Sequence, residues 1–445
     1  MTNRIATAAV AALIVGLALH NAAMAALWRA GLRDGPLTVV SAWKEALHLL
    51  ALGVVAWRTL RERRLPFTPN VVDALAAAFA LLALLYAVLP QGWLEGQADN
   101  RAIAYGLRSA LVPVGAWFLG RSVPLPLERL RALAIGVAAA VAAIGLVDLY
   151  AVSLDWWRHS GTIGWYRDQL DLDYGKALSG LPENFVYNDG DERPERRLVS
   201  TFLSPLATSH LLVVALLGLT AARRGRWTAP LAALLLAGLL FTYSRSALAA
   251  LAGGLVVLAL ARRRLWPAAA AVVLVVLGIA FVKAYPSVGP ETTFTPAELA
   301  YQRENAAKSP VRSGDPLDPG EASTASHWRS LRDGIDTVIQ HPQGFGLGNA
   351  GTSARRTGDE PKAGESTYTE LGVETGLLGM LAFIGWGLGA LWLLVRREPW
   401  LAAAFAAVLA IALQTDVLGV PWLAYCLWAL AGTAASRPPL SSRTR

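Results

Sequence analysis

Cysteine occurs once in 445 residues, at Cys426, and methionine three times. A single thiol excludes a disulfide framework, a cysteine-built zinc site and an iron–sulfur cluster. The six histidines show no paired ligand spacing. The Asp-x-Asp of Asp171-Leu172-Asp173 sits in an acidic loop, where such pairs are usually solvated, so neither a metal nor another cofactor is expected. Charge is scarce too. Charged residues make up 16%, against roughly 25% in soluble domains. Internal repeats, paired broken helices and low-complexity tracts are also missing, which weighs against a secondary transporter.

What is present is apolar. Hydrophobic residues reach 54%, mean hydropathy is +0.41, and the 16 Trp outnumber both Tyr and Phe. A bilayer core of about 30 Å needs roughly 20 such residues per helix. Runs meeting that test, some loosely, lie near 5–27, 37–57, 70–90, 102–120, 132–152, 200–221, 228–242, 244–261, 265–283, 371–395, 400–416 and 419–435. The expected fold class is an all-α polytopic membrane protein of about twelve transmembrane helices. Residues 1–445 form one transmembrane domain, and the first run reads as a retained helix rather than a cleaved leader.

Arginine sets the orientation. With the N-terminus in the cytoplasm, that side holds Arg4; Arg58, Arg61, Arg63 and Arg64; Arg121, Arg129 and Arg131; Arg223, Arg224 and Arg226; Arg262, Arg263 and Arg264; Arg396 and Arg397; and Arg437, Arg443 and Arg445. Only Glu62, Glu128 and Glu398 oppose them there. The two long loops on the other side are acidic: 153–199 has six cations and nine acids, and 284–370 has eight and twelve. The net charge of +8 is therefore a topology signal, and no nucleic-acid partner is implied. The larger loop, 284–370, is too long for a simple connector; Pro and Gly punctuate it around a helical centre near 323–341.

Ionisable groups inside hydrocarbon are functional candidates by default. Here they gather toward the outer leaflet: His20, Lys44, Glu45, Arg108, Asp148, Ser204, Ser209 and His210, with Arg245 at the tight turn between two spans. A water-filled cavity opening outward accounts for that grouping. Four segments on the same side carry reactive side chains. They are Arg196-Arg197-Leu198-Val199-Ser200-Thr201-Phe202, followed by Ser204-Pro205; Thr242-Tyr243-Ser244-Arg245-Ser246; Ser326-His327-Trp328-Arg329-Ser330-Leu331-Arg332-Asp333-Gly334, running on to Pro342-Gln343-Gly344-Phe345-Gly346-Leu347-Gly348-Asn349; and Glu365-Ser366-Thr367-Tyr368, with Glu374-Thr375-Gly376 beyond.

The order and topology of these segments resemble the O-antigen ligase/polymerase superfamily, integral-membrane glycosyltransferases of the outer face of the bacterial inner membrane. Family members that ligate glycan to lipid A core have His-Asn where this chain has Glu365-Ser366. They also have an arginine about fifteen residues before the proline of the glycine run, where this chain has His327. The His and Glu-Ser version looks like a subgroup of polysaccharide polymerases and related ligases. The resemblance implies a donor glycan on undecaprenyl pyrophosphate, a glycan or lipid-linked acceptor, the lipid bilayer as surroundings and a chain-length regulator as a partner. Both termini are then cytoplasmic and the active site periplasmic. Transfer to lipid A core, or transport of the lipid-linked glycan, are the alternatives.

Such a reaction asks for a cationic clamp on the leaving pyrophosphate, since stabilising developing charge is usually the largest catalytic term. Arginine suits it because its fork binds phosphate oxygens bidentately and stays charged. Arg245 is the expected clamp residue. One of Arg196 and Arg197 joins it, and Arg329 and Arg332, Arg108, Lys44 and Tyr368 extend the binding surface. A base must take the acceptor hydroxyl's proton. Glu365 is the candidate, with its pKa expected to rise through partial burial, and His327 orients it, shares the proton or binds phosphate. For the glycines at 344, 346 and 348, shape is favoured over phosphate binding. The resemblance further implies metal-independent, inverting displacement at the anomeric carbon.

Overall fold

The computed structural model describes residues 2–188, 192–222, 225–308, 315–318 and 320–439. Arg223, Arg224, Arg443 and Arg445, expected among the cytoplasmic cations, lie outside the described residues. The chain is an all-α polytopic membrane protein, 73% helical. The helices are α1 (Thr2–Arg29), α2 (Asp34–Ser41), α3 (Trp43–Glu62), α4 (Val71–Val88), α5 (Asn100–Ser122), α6 (Leu127–Ala151), α7 (Leu154–His159), α8 (Pro205–Leu219), α9 (Thr228–Phe241), α10 (Arg245–Arg262), α11 (Trp266–Val288), α12 (Pro296–Lys308), α13 (Ala322–Gln340), α14 (Gly351–Arg355), α15 (Thr367–Arg397), α16 (Pro399–Ile411) and α17 (Trp428–Ala434). A π-helical stretch, Leu423–Leu427, leads into α17.

Each expected apolar run falls on helix. Seven helices (α1, α4, α5, α6, α10, α11 and α15) are long and apolar enough to cross a bilayer, and the pair α2–α3 makes an eighth. Four shorter apolar helices occupy 205–219, 228–241, 399–411 and 423–434. The run expected as one straight span at 37–57 is bent by 40° at Ala42. The bend frees the Ser41 carbonyl, which accepts from Lys44 Nζ at 2.7 Å, so the break supplies a partner for the buried ammonium.

Apolar burial gives little drive between helices in lipid, where close packing of small residues takes over. Gly120 of α5 faces α17 so tightly that a Cβ would sit 2.0 Å from the Ala429 carbonyl oxygen, and Gly432 of α17 meets the Trp117 carbonyl in return. Around that seam Trp386 stacks on Trp428 at 4.0 Å, flanked by Phe79, Trp117, Phe383 and Phe405. Arg121, one of the cations that set the orientation, is buried. Its guanidinium bonds Asp73 at 2.9 Å, and Asp73 also closes the Asn70 capping box that starts α4. A desolvated arginine at a helix end needs such a fixed carboxylate.

The loops 153–199 and 284–370 build one outer layer. β1 (Val186–Tyr187) pairs antiparallel with β2 (Glu195–Arg196), and the next bridge joins Glu195 to Glu291 of the second loop. Arg158 meets the buried Glu298 of α12 at 2.7 Å. Beneath lies a second core of Trp157, Trp165, Tyr166, Phe185 and Val199. The stretch read as helical in the larger loop is α13, lying against α15 with Gly334 on Thr369 and Val338 on Gly372.

Candidate functional site

Under that layer is a cavity of about 1290 Å³. Its walls come from the C-terminal half of α1 (Leu17, His20), the first half of α5 (Tyr105, Arg108), the N-termini of α8, α10 and α15, and the turn 414–422. Successive spans reverse direction, so these ends all belong to one face of the bundle.

Arg245 enters the cavity from the first turn of α10. Ser244 caps that helix by accepting from Ala247 N, and Tyr243 before it holds φ +51°, left-handed backbone that non-glycine residues seldom adopt. The guanidinium bonds Glu321 at 2.9 Å and also the Pro316 carbonyl. Burial alone would raise the Glu321 carboxyl, but the Thr324 amide and Arg245 outweigh it and hold the group below its ordinary range. Glu321 is also the N-cap of α13, accepting from Thr324 N at 2.9 Å. Arg245 is thereby tied to the helix that carries His327.

His327 follows Glu321 by six residues, roughly 9 Å along the axis. Its Nδ1 lies 2.8 Å from Glu365 Oε2. Glu365, just before the N-cap of α15, holds φ +67°. Its expected upward shift is not what the structure has. The His327 ring is the strongest influence and, with Arg355, holds the carboxyl below the usual carboxylate range despite burial. Strained backbone at both Tyr243 and Glu365 is the kind that clusters at functional sites.

Of the adjacent Arg196 and Arg197, only Arg197 lines the cavity. Arg196 ends β2 and Arg197 continues its extended path, with its amide on the Phe185 carbonyl, so the two side chains point to opposite faces. Arg196 turns inward, 3.5 Å from Asp148, donating to the Val152 carbonyl at 2.8 Å. Arg197 donates to the Thr242 carbonyl at 2.9 Å and has no carboxylate within ion-pair distance among the described residues. Burial pushes its guanidinium down to about 10, and Arg245 adds repulsion. An anion placed between them would relieve both.

The other expected binding residues separate. Arg108 lines the cavity and pairs with Glu45 at 3.2 Å. Lys44 stays behind the wall, 3.3 Å from Glu45 and 3.4 Å from the cavity-lining His20. Arg329 and Arg332 are exposed and lie outside the cavity. At about 100° per residue they point roughly 200° and 140° away from His327. Tyr368 donates to the Leu409 carbonyl at 2.7 Å and packs beside Phe383. The Asp-x-Asp is engaged in the loop, with Asp171 on Arg101 at 2.5 Å and Asp173 accepting from Gly175 N.

The glycine run sets shape. Gly344, Gly346 and Gly348 all have positive φ, and a Cβ on Gly348 would lie 2.6 Å from the Ala102 carbonyl carbon. The Gly348 amide is taken by Glu374 Oε1 at 2.9 Å and that of Phe345 by the Val373 carbonyl. Sequence reading passed over Arg355 and Arg356 and the carboxylates Glu370 and Asp416, all of which line the cavity. Burial raises the Asp416 carboxyl. Their one signal was a basic pair closing the short helix after the glycine run.

Residues 230–384, about a third of the chain, match a family model described as O-antigen ligase. The match supports the resemblance of the chain to the O-antigen ligase/polymerase superfamily. The matched O-antigen ligase segment carries Arg245, Glu321, His327, Arg356 and Glu365, while Arg108 and Arg197 come from outside it. No curated protein matches the chain. The matched family supports O-antigen ligase-type glycan transfer in general, in a membrane setting.

Proposed function

We propose that the chain transfers a glycan from undecaprenyl pyrophosphate to a glycan hydroxyl at the periplasmic face of the bacterial inner membrane, lengthening a polysaccharide. The observation that carries this reading is the meeting of Arg245, Arg197, His327 and Glu365 in one cavity. Arg197 and Arg245 hold the donor pyrophosphate and take up its growing charge as the anomeric C–O bond breaks. The acceptor oxygen attacks from the opposite side, giving inversion. Its proton passes to the His327–Glu365 pair. Glu365, held ionised, is a weak base by itself. Its charge orients the His327 ring and stabilises the imidazolium, which makes the ring nitrogen away from Glu365 the proton acceptor.

The basic turns support a cytoplasmic location for both termini, with the cavity outside it. No resident metal enters the scheme, and a chain-length regulator is the expected partner in cells. Transfer to lipid A core is the second reading, favoured by the description of the matched family. The two are separated in cells carrying Glu365→Ala or Arg245→Ala at wild-type membrane levels. Polymerisation predicts loss of the glycan ladder down to a single capped unit. Ligation predicts that full-length chains persist on the lipid carrier but leave the lipid A core. An unchanged wild-type ladder on the core in both variants overturns the scheme.

A further inference from the structure

The cavity has a second cationic wall that the donor does not use. Arg356 lies 4.9 Å from the centre of the Tyr105 ring, and Tyr105 shares a face of α5 with Arg108 at i, i+3. Arg355, next to it, acts electrostatically on the carboxylates Glu365 and Glu370. The strongest electrostatic influences on Arg356 come from phenols and other cations: Arg108, Tyr105, Tyr174 and Arg101. Its Nε is buried without a hydrogen-bond partner, and no carboxylate lies within ion-pair distance among the described residues. Burial and the repulsion of Arg108 both push this guanidinium down.

Charge pairing around it is incomplete. Arg101 is taken by Asp171 at 2.5 Å, and Lys44 and Arg108 share Glu45 at 3.3 and 3.2 Å. Four cations stand on two carboxylates, leaving two positive charges uncompensated. A desolvated guanidinium without a counter-ion is costly. A doubly charged anion would balance those positive charges. Across the cavity, Arg245 is tied through Glu321 and α13 to His327, and His327 through Glu365 to the neighbourhood of Arg355. The His327–Glu365 pair thus links two cationic walls of the cavity.

We propose that Arg356 and Arg108, with Tyr105, form a second phosphate-binding site, which anchors an acceptor bearing its own phosphate or diphosphate. The proposal rests on the transfer reading above and adds the acceptor's chemistry to it. Two sources share that chemistry: a second lipid-diphosphate glycan, or a core oligosaccharide phosphorylated on a sugar.

Equilibrium dialysis of inorganic pyrophosphate against the purified full-length chain in detergent tests the site itself. Two pyrophosphates per chain are expected. Arg356→Gln combined with Arg108→Gln should retain one, as should Arg197→Gln combined with Arg245→Gln. Arg356→Lys, which preserves the charge with little risk to folding, should retain two with the second weakened several-fold. A wild-type stoichiometry of one, or two sites unaffected by the Arg108/Arg356 pair, overturns the proposal. This count does not depend on turnover: two sites with no transfer from any donor would end the transfer reading and leave the second site standing.

Steady-state kinetics then identify the source. Arg356→Gln should raise the KM for the phosphorylated acceptor at least tenfold while the donor KM stays put, and the acceptor that responds, lipid-diphosphate glycan or phosphorylated core, is the one used. An equal rise with the dephosphorylated oligosaccharide overturns the assignment.

Discussion

His327 Nδ1 lies 2.8 Å from Glu365 Oε2, joining a helix of the outer layer to the residue that precedes a membrane-spanning helix. The ring holds the carboxyl below its ordinary range. A carboxyl with a depressed folded pKa stabilises the fold above its unfolded pKa, and that contribution fades as pH falls through the folded one. Glu365 should therefore stay ionised across the neutral range. Glu365→Gln should lower the transfer rate by about 10²–10⁴-fold, the usual span for acid–base groups. It should not remove any limb of the pH–rate profile between about pH 5 and 8, since the unperturbed Glu value is about 4.3. Loss of a limb in that window in the variant would contradict the assignment.

Arg196 and Arg197 are neighbours with opposite duties. Arg197→Gln should leave folding intact and weaken donor binding. Arg196→Gln strands the buried Asp148 beside it; breaking such a pair costs about 3–5 kcal/mol. Thermal melting and donor binding on the two purified variants separate the effects. Equal destabilisation by both would argue against the face assignment.

The helix α13 is held at its start by Glu321, which both caps it and anchors Arg245. Loss of an N-cap costs about 1 kcal/mol. Glu321→Ala should raise hydrogen exchange over residues 323–330 and slow transfer without touching the donor headgroup directly. Unchanged exchange there would show that the cap does not hold the helix.

Gly348 and Gly358 both have positive φ, but only Gly348 lacks room for a methyl group. Gly348→Ala should drive the run away from α5 and cut the folded yield sharply. Gly358→Ala should cost only the left-handed strain, about 1–2 kcal/mol. Membrane-extracted yield and melting temperature read the difference.

These contrasts mark what a linear reading captures. Apolar runs, basic turns and the residues Arg245, His327 and Glu365 were visible, because hydropathy, charge asymmetry and polar groups at span ends are local signals. The i, i+3 spacing of Arg329 and Arg332 says that they share a helix face but not which face turns inward; His327 took that side. Whether Arg196 or Arg197 faces the cavity was settled by β2, a two-residue strand too short to leave a pattern. Arg356 resembled surface charge because its neighbours, Tyr105 and Arg108, lie some 250 positions earlier in the chain. The fall in the Glu365 carboxyl also depended on a long-range partner, since burial alone would have raised it.

The most direct test of the account is single-turnover transfer by the purified full-length chain in lipid nanodiscs, comparing wild type with Glu365→Gln and Arg245→Ala at matched donor occupancy. The account predicts that Glu365→Gln binds the lipid-diphosphate donor as wild type does but scarcely transfers it, whereas Arg245→Ala binds it poorly. Wild-type single-turnover rates in the Glu365→Gln chain would contradict it.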